Sequence, residues 1–414
     1  MLRTSRIFIA IVICFCLIGA VLAETKFSYD GQIRLREELD FKSFAAERHG
    51  KTFADLRTRV GLKFEPTDKA LAYIQFQDSR RLGDPSSGDL SATDNVDLHQ
   101  AYFELHQVIW EWLYLKAGRF EVNYGNQRVF GAVGWHNVGR SWEGGITSIR
   151  PENAQIDLFW LKKMEMNSEN YNRDFDIVGI YGMFKKYNLD LFGFYELDAD
   201  SNNYYQQKLK RFNVGGYYHR SMENIYFTLQ GNFQFGEMPQ GTLPDTTLVQ
   251  DISAFMLNGE LGYNFEGKGK VYAGVGIDYT SGDDGADSTK FKAYANDYYT
   301  GHKFRGYMDY FVPSPEHGLI DAMFRVKGSP APDWWLGCDF HYFKAAQNYL
   351  SKSASPTLTS NIGFEVDLTV KTKVISGATL SGGMSLFIAD EYYTFAGPDR
   401  NTGMWLYTMT TIDF

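Results

Sequence analysis

The chain has 414 residues and a formal net charge of −9, with 44% of residues hydrophobic and 22% charged. That acidic balance argues against a nucleic-acid partner, and no apolar run beyond the first two dozen residues is long enough for a membrane-spanning helix. Beyond the same point Cys338 is the single cysteine, which excludes an internal disulfide and a cysteine metal cluster.

Residues 1–23 read as a secretory signal. Arg3 and Arg6 supply a positive start, residues 7–17 an apolar run, and Val21, Leu22 and Ala23 a small-residue cleavage site. Residues 24–414 then form one domain, since no linker or shift in composition divides them.

From residue 27 onward, apolar and polar residues alternate over short runs that recur to the end. In 225–236 the series Ile225, Phe227, Leu229, Gly231, Phe233, Phe235 interleaves with Tyr226, Thr228, Gln230, Asn232, Gln234. Successive strand side chains point to opposite faces, so such a segment is apolar on one face only. About eighteen segments of this kind can be delimited, with no helical stretch between them. Short connections such as 66–69, 151–153, 221–224 and 266–269 broadly alternate with long ones such as 82–95, 121–143 and 281–316. The expected fold is an all-β, transmembrane antiparallel β-barrel of about eighteen strands, with short periplasmic turns and long extracellular loops, in a bacterial outer membrane. Phe414 ends the last strand on the parity of Leu406, Thr408, Thr410 and Ile412. A lipid-facing aromatic there resembles the signal that outer-membrane barrels present to the barrel-assembly machinery.

Parity assigns residues to the lumen. In the first strand Tyr29, Ile33, Leu35 and Leu39 face lipid, leaving Asp30, Gln32, Arg34, Arg36 and Glu38 inside. In the second, Leu56, Val60, Leu62 and Phe64 face lipid, leaving Asp55, Arg57, Arg59 and Lys63 inside. An Arg or Lys facing mid-membrane lipid costs about 2–4 kcal/mol, which excludes the reverse register. Lumen positions further along are Glu104, Lys116, Arg211, Glu260, Lys270, Asp278, Asp321, Arg325, Lys327, Asp339, His341, Glu365, Asp367 and Lys371.

Arg34, Arg36, Arg57 and Arg59 cluster on two neighbouring strands. They read either as a positive ladder for anions or as ion-pair partners bracing the wall. The segment 121–143, with Arg128, His136 and Arg140, either folds inward as a constriction or lies outside as a cap. Arg119 shares the lipid-facing parity of Leu113 and Leu115, so the strand ends there or carries a bulge. Asp283, Asp284 and Asp287 offer hard oxygen ligands, but their spacing matches no established calcium loop. No cofactor or metal is expected. The few histidines pair with no nucleophile at a catalytic spacing, which argues against an enzyme.

The runs Gln75-Phe76-Gln77-Asp78-Ser79-Arg80 and Leu98-His99-Gln100-Ala101-Tyr102-Phe103 lead to Gly118-Arg119-Phe120 and Tyr124-Gly125-Asn126-Gln127-Arg128. With Tyr279-Thr280-Ser281-Gly282-Asp283, Gly318-Leu319-Ile320-Asp321 and Gly363-Phe364-Glu365-Val366-Asp367, this order resembles the alginate-export outer-membrane porins. That resemblance implies a monomeric eighteen-stranded barrel with a narrow basic pore, passing an anionic uronate polysaccharide or related anionic solutes. The competing expectation is an adhesin-type or structural barrel whose lumen is plugged by its own charges.

Overall fold

A computed structural model describes residues 25–44, 50–84, 96–165, 167–168, 171–172, 174–198, 209–239, 249–267, 269–350, 358–390 and 401–414. The expected signal at 1–23 lies outside the described residues. Eighteen antiparallel strands form the barrel wall. They are β1 (Lys26–Phe41), β2 (Lys51–Thr67), β3 (Ala70–Arg81), β4 (Val96–His106), β5 (Leu113–Phe120) and β6 (Trp142–Ile149). Next come β7 (Ala154–Met164), β8 (Phe175–Phe184), β9 (Leu189–Asp198), β10 (Leu209–Met222), β11 (Ile225–Pro239) and β12 (Val249–Asn264). The last are β13 (Tyr272–Thr280), β14 (Leu319–Gly328), β15 (Trp334–Leu350), β16 (Leu358–Ile375), β17 (Ala378–Ala389) and β18 (Thr402–Asp413).

Each strand pairs with its neighbours in sequence, and β1 pairs with β18 from Gln32 opposite Asp413 to Phe41 opposite Met404. The sheet therefore closes and leaves no edge strand, as a lipid environment demands. Gly31 and Phe414 complete the seam by exchanging backbone hydrogen bonds of 2.8 and 3.0 Å. Short and long connections alternate strictly, and both termini lie at the short-turn end. In outer-membrane barrels that end faces the periplasm.

The outer face carries the residues that parity assigned to lipid. Tyr29, Ile33 and Leu39 on β1 and Val60 on β2 are exposed, as are Leu229, Phe233 and Phe235 on β11. Cys338 lies on this face beside Leu336, facing lipid and unpaired. Arg119 also points outward, at the last turn of β5, where it forms a 2.8 Å ion pair with Glu143 of β6. The register through β4, β5 and β6 is unbroken, so the strand ends there without a bulge. One expected lumen residue moves: Lys270 sits exposed in the turn between β12 and β13, with φ +43, because β13 starts at Tyr272.

The inner face departs from a uniformly polar lumen. On β7–β9 the inward residues Phe159, Leu161, Ile177, Phe192 and Phe194 are buried. They pack with Phe120, Val122, Tyr124 and Phe130 in an apolar cluster inside the barrel. A second cluster unites Phe343, Ile362, Phe387, Trp405 and Tyr407 of the wall with Met308 and Phe311. Both clusters exist because the connections 121–141 and 281–318 fold into the lumen and present apolar side chains to the wall. Burying that surface stabilises the infolded state by about 25 cal/mol per Å² removed from water.

Candidate functional site

The site is the layer formed by these two infolded loops and the charged wall that grips them. Of the two readings for 121–143, inward constriction is the one observed. Arg34 donates to the Gly134 carbonyl at 2.8 Å and to the His136 carbonyl at 3.3 Å. Arg57 donates to the same carbonyls at 3.0 and 3.1 Å. Arg36 donates to the Trp135 carbonyl at 2.5 Å, and its guanidinium lies 4.4 Å from the centre of the Trp135 ring. Arg59 donates to the Val138 carbonyl at 3.1 Å and to Glu121 at 3.1 Å.

Alternation puts Arg34 directly opposite Arg57 across the β1–β2 pair. Two like charges in that position repel. The Gly134 carbonyl, taking a hydrogen bond from both, offsets part of that cost without removing either charge. Among the described residues neither Arg34 nor Arg57 has a carboxylate at ion-pair distance, and the Nε of each lacks a hydrogen-bond acceptor. The other two are neutralised: Arg36 by Glu38 at 2.7 Å, with Asp55 at 3.8 Å, and Arg59 by Glu121. Half of the ladder thus remains a net positive patch, and half is ion-paired bracing.

The second loop is held by the opposite chemistry. The Met308 amide donates to Glu365 at 2.9 Å and the Tyr307 amide to Asp367 at 3.3 Å, so wall carboxylates grip backbone N–H groups. Gly306, at φ +80, makes the approach possible, since a Cβ there would lie 2.5 Å from the Glu365 carboxylate. His341 sits between Asp321, at 2.9 Å, and Asp367, at 3.8 Å, and is fully enclosed. On β11, Asn232 donates to the Tyr294 hydroxyl and Gln234 to the Ala295 carbonyl, each at 2.7 Å.

The loops also hold one another. Gly131 donates to the Tyr298 carbonyl at 2.9 Å, Thr300 to the Gln127 carbonyl at 3.0 Å, and Arg140 to the Asp297 carbonyl at 3.0 Å. Trp135 stacks on His302 with ring centres 4.1 Å apart. Arg128 of one loop and Arg305 of the other share Asp278, at 2.5 and 3.1 Å.

The remaining expected lumen residues are mostly paired. Arg211 bonds Glu196 and lies 2.7 Å from Asp297. Arg325 lies 3.0 Å from Glu260 and 3.6 Å from Asp339. Lys63 pairs with Glu65 at 3.0 Å and Lys116 with Glu104 at 3.3 Å, the latter over the Tyr102 ring. Lys371 keeps its inward parity but is exposed near the rim. In the loop 281–290, Asp283, Asp284 and Asp287 each accept backbone N–H groups of their own turn.

Reasoning from the sequence missed Lys303, Arg305 and Tyr307, because nothing periodic marks the second loop as facing inward. Two cavities flank the loop layer. One, of about 750 Å³, opens between the loops and includes Trp135, Arg140, Tyr294 and His302. The other, of about 410 Å³, lies toward the short turns between the loops and β10–β14.

Comparison with known proteins accords with this geometry. No curated protein sequence matches the chain. The fold resembles OccAB1 of Acinetobacter baumannii, with a TM-score of 0.59 at 12% identity, covering 93% of this chain and 96% of that one. It also resembles OccK2 (OpdF) of Pseudomonas aeruginosa, solved in complex with glucuronate, with a TM-score of 0.59 at 8% identity and coverage of 94% and 98%. A BenF-like porin from Pseudomonas fluorescens Pf-5 gives a TM-score of 0.59 at 9% identity, with coverage of 94% and 98%. The alginate export family matches residues 25–405. With that match spanning nearly the whole described barrel, the chain belongs to the alginate export family and is an outer-membrane channel protein of the bacterial envelope.

Proposed function

We propose that this barrel passes anionic, carboxylate-bearing solutes or saccharides across the outer membrane through the constriction made by its two infolded loops. The observation that carries the reading is the charge left over at Arg34 and Arg57. Both are bound to neutral carbonyls, so their field in the narrowed lumen is not cancelled. Guanidinium groups stay charged at any working pH, and a low-dielectric surround strengthens their pull on carboxylates. Membership of the alginate export family and the glucuronate bound to the structurally similar OccK2 support a uronate as the class of solute. Closure of the barrel on itself supports action as a single chain, with the β18 strand and Phe414 as the contact for the assembly machinery.

A second reading rests on the packing of the loops. Apolar clusters and hydrogen bonds knit them to the wall and to each other, which suits a structural barrel with a plugged lumen. Single-channel recording in planar bilayers separates the two. Steady current with anions carrying more than cations supports the channel, and absence of current supports the plug.

A further inference from the structure

The cavity on the short-turn side belongs to neither the arginine ladder nor the apolar clusters. Its floor is wall: Tyr226 near the start of β11, Asn264 ending β12, Tyr272 starting β13, and Lys327 near the end of β14. Its roof is the underside of the loop layer, where Lys303 is exposed beside Phe304 and donates to the Asn126 carbonyl at 3.0 Å.

Three features distinguish this cavity from a solvated end of the barrel. Lys303 and Lys327 have no ion-pair partner among the described residues, whereas the neighbouring Arg325 is answered by Glu260. Arg128, buried in the same lining, keeps an Nε with no hydrogen-bond acceptor. The remaining lining is tyrosine hydroxyls and side-chain amides over aromatic faces. Two unanswered ammonium groups select an anion. Phenolic and amide groups suit a ring carrying several hydroxyls, and aromatic faces suit the apolar side of such a ring. A volume of about 410 Å³ falls in the range of small-molecule sites.

We infer that this basin is a binding subsite for a carboxylated pyranose, with Lys303 and Lys327 receiving the carboxylate and Tyr217, Tyr226 and Tyr272 the ring. It rests on the anionic-solute reading above and deepens it by naming a place for the sugar outside the arginine ladder. Because Lys303 belongs to the infolded loop and Lys327 to the wall, a carboxylate between them bridges loop and barrel. It is reached from the short-turn end.

The test uses the full chain in detergent and in planar bilayers, with a soluble uronate trisaccharide as probe and a neutral glucose trisaccharide as control. Equilibrium binding is measured by calorimetry. Current block is measured from each side, with sidedness fixed by an impermeant thiol reagent on a Ser288→Cys, Cys338→Ser background. The uronate should bind and block from the short-turn side. Lys303→Gln with Lys327→Gln should weaken both about tenfold, the loss of one charge-assisted contact. Lys69→Gln, on the turn between β2 and β3, should change neither. Heat-modifiable migration on gels verifies that each variant folds. Uronate binding and block that the double variant leaves intact would overturn the basin while leaving the anionic-solute reading standing. Equal binding of the neutral trisaccharide would overturn the role given to the lysines. A wild type that neither binds nor is blocked by uronate from either side would overturn the anionic-solute reading, and the basin with it.

Discussion

At the scale of single residues, Arg57 has two separable tasks. It anchors the Gly134 and His136 carbonyls, and it holds a charge that no carboxylate cancels. Arg57→Gln keeps an amide donor but removes the charge. It should shift the reversal potential in a salt gradient toward cations with little change in conductance, and the shift should be larger at low salt, where screening is weaker. Arg57→Ala removes both, at a cost of about 1.5–3 kcal/mol per charged hydrogen bond lost, and should also raise conductance by freeing the loop. Identical behaviour of the two variants would contradict the division. On the wall, Leu62→Arg should impair assembly by about 2–4 kcal/mol if near the midplane, whereas Lys63→Ala should assemble nearly as the wild type. Heat-modifiable migration reads both, and equal defects would mean that the faces are reversed.

At the scale of elements, the loops matter as much as the strands. The carboxylates of β16 grip the second loop through two amides beside Gly306. Gly306→Ala should detach that stretch, because the added carbon meets the Glu365 carboxylate and the backbone there has φ +80. The expected result is increased and noisier conductance with an unchanged barrel circular-dichroism spectrum. Unaltered conductance would show that the loop layer does not narrow the path. The strands were legible in the sequence because period-two alternation, short turns and forbidden lipid-facing charges each specify register independently. Arg34 and Arg57 were placed inward by that reasoning alone. What they touch was not legible. Residues 121–141 mix glycine and aromatics with no period, so no face can be assigned from sequence. One signal was present nonetheless: Leu158, Phe159, Trp160 and Leu161 are apolar on both parities. A strand of that kind needs packing on its inner face as well as lipid on its outer one. The infolded loop supplies it, through Phe130 against Phe159 with ring centres 5.5 Å apart.

At the scale of the whole molecule, net acidity and an anion-attracting interior coexist because charge is sorted by position. Most lumen carboxylates answer a specific cation or a loop amide, while Arg34 and Arg57 face carbonyls. Cysteine accessibility tests the orientation of the barrel that this sorting assumes. On a Cys338→Ser background, cysteines at Ser288 should react with impermeant reagents on intact cells, and cysteines at Thr67 or Gly267 should not. The central claim is a conducting, anion-selective constriction. The reversal potential of the wild-type channel in a potassium chloride gradient tests it most directly. A potential displaced toward the chloride equilibrium value is the expected result. Displacement toward the potassium value, or a reconstituted barrel that passes no current, would contradict it.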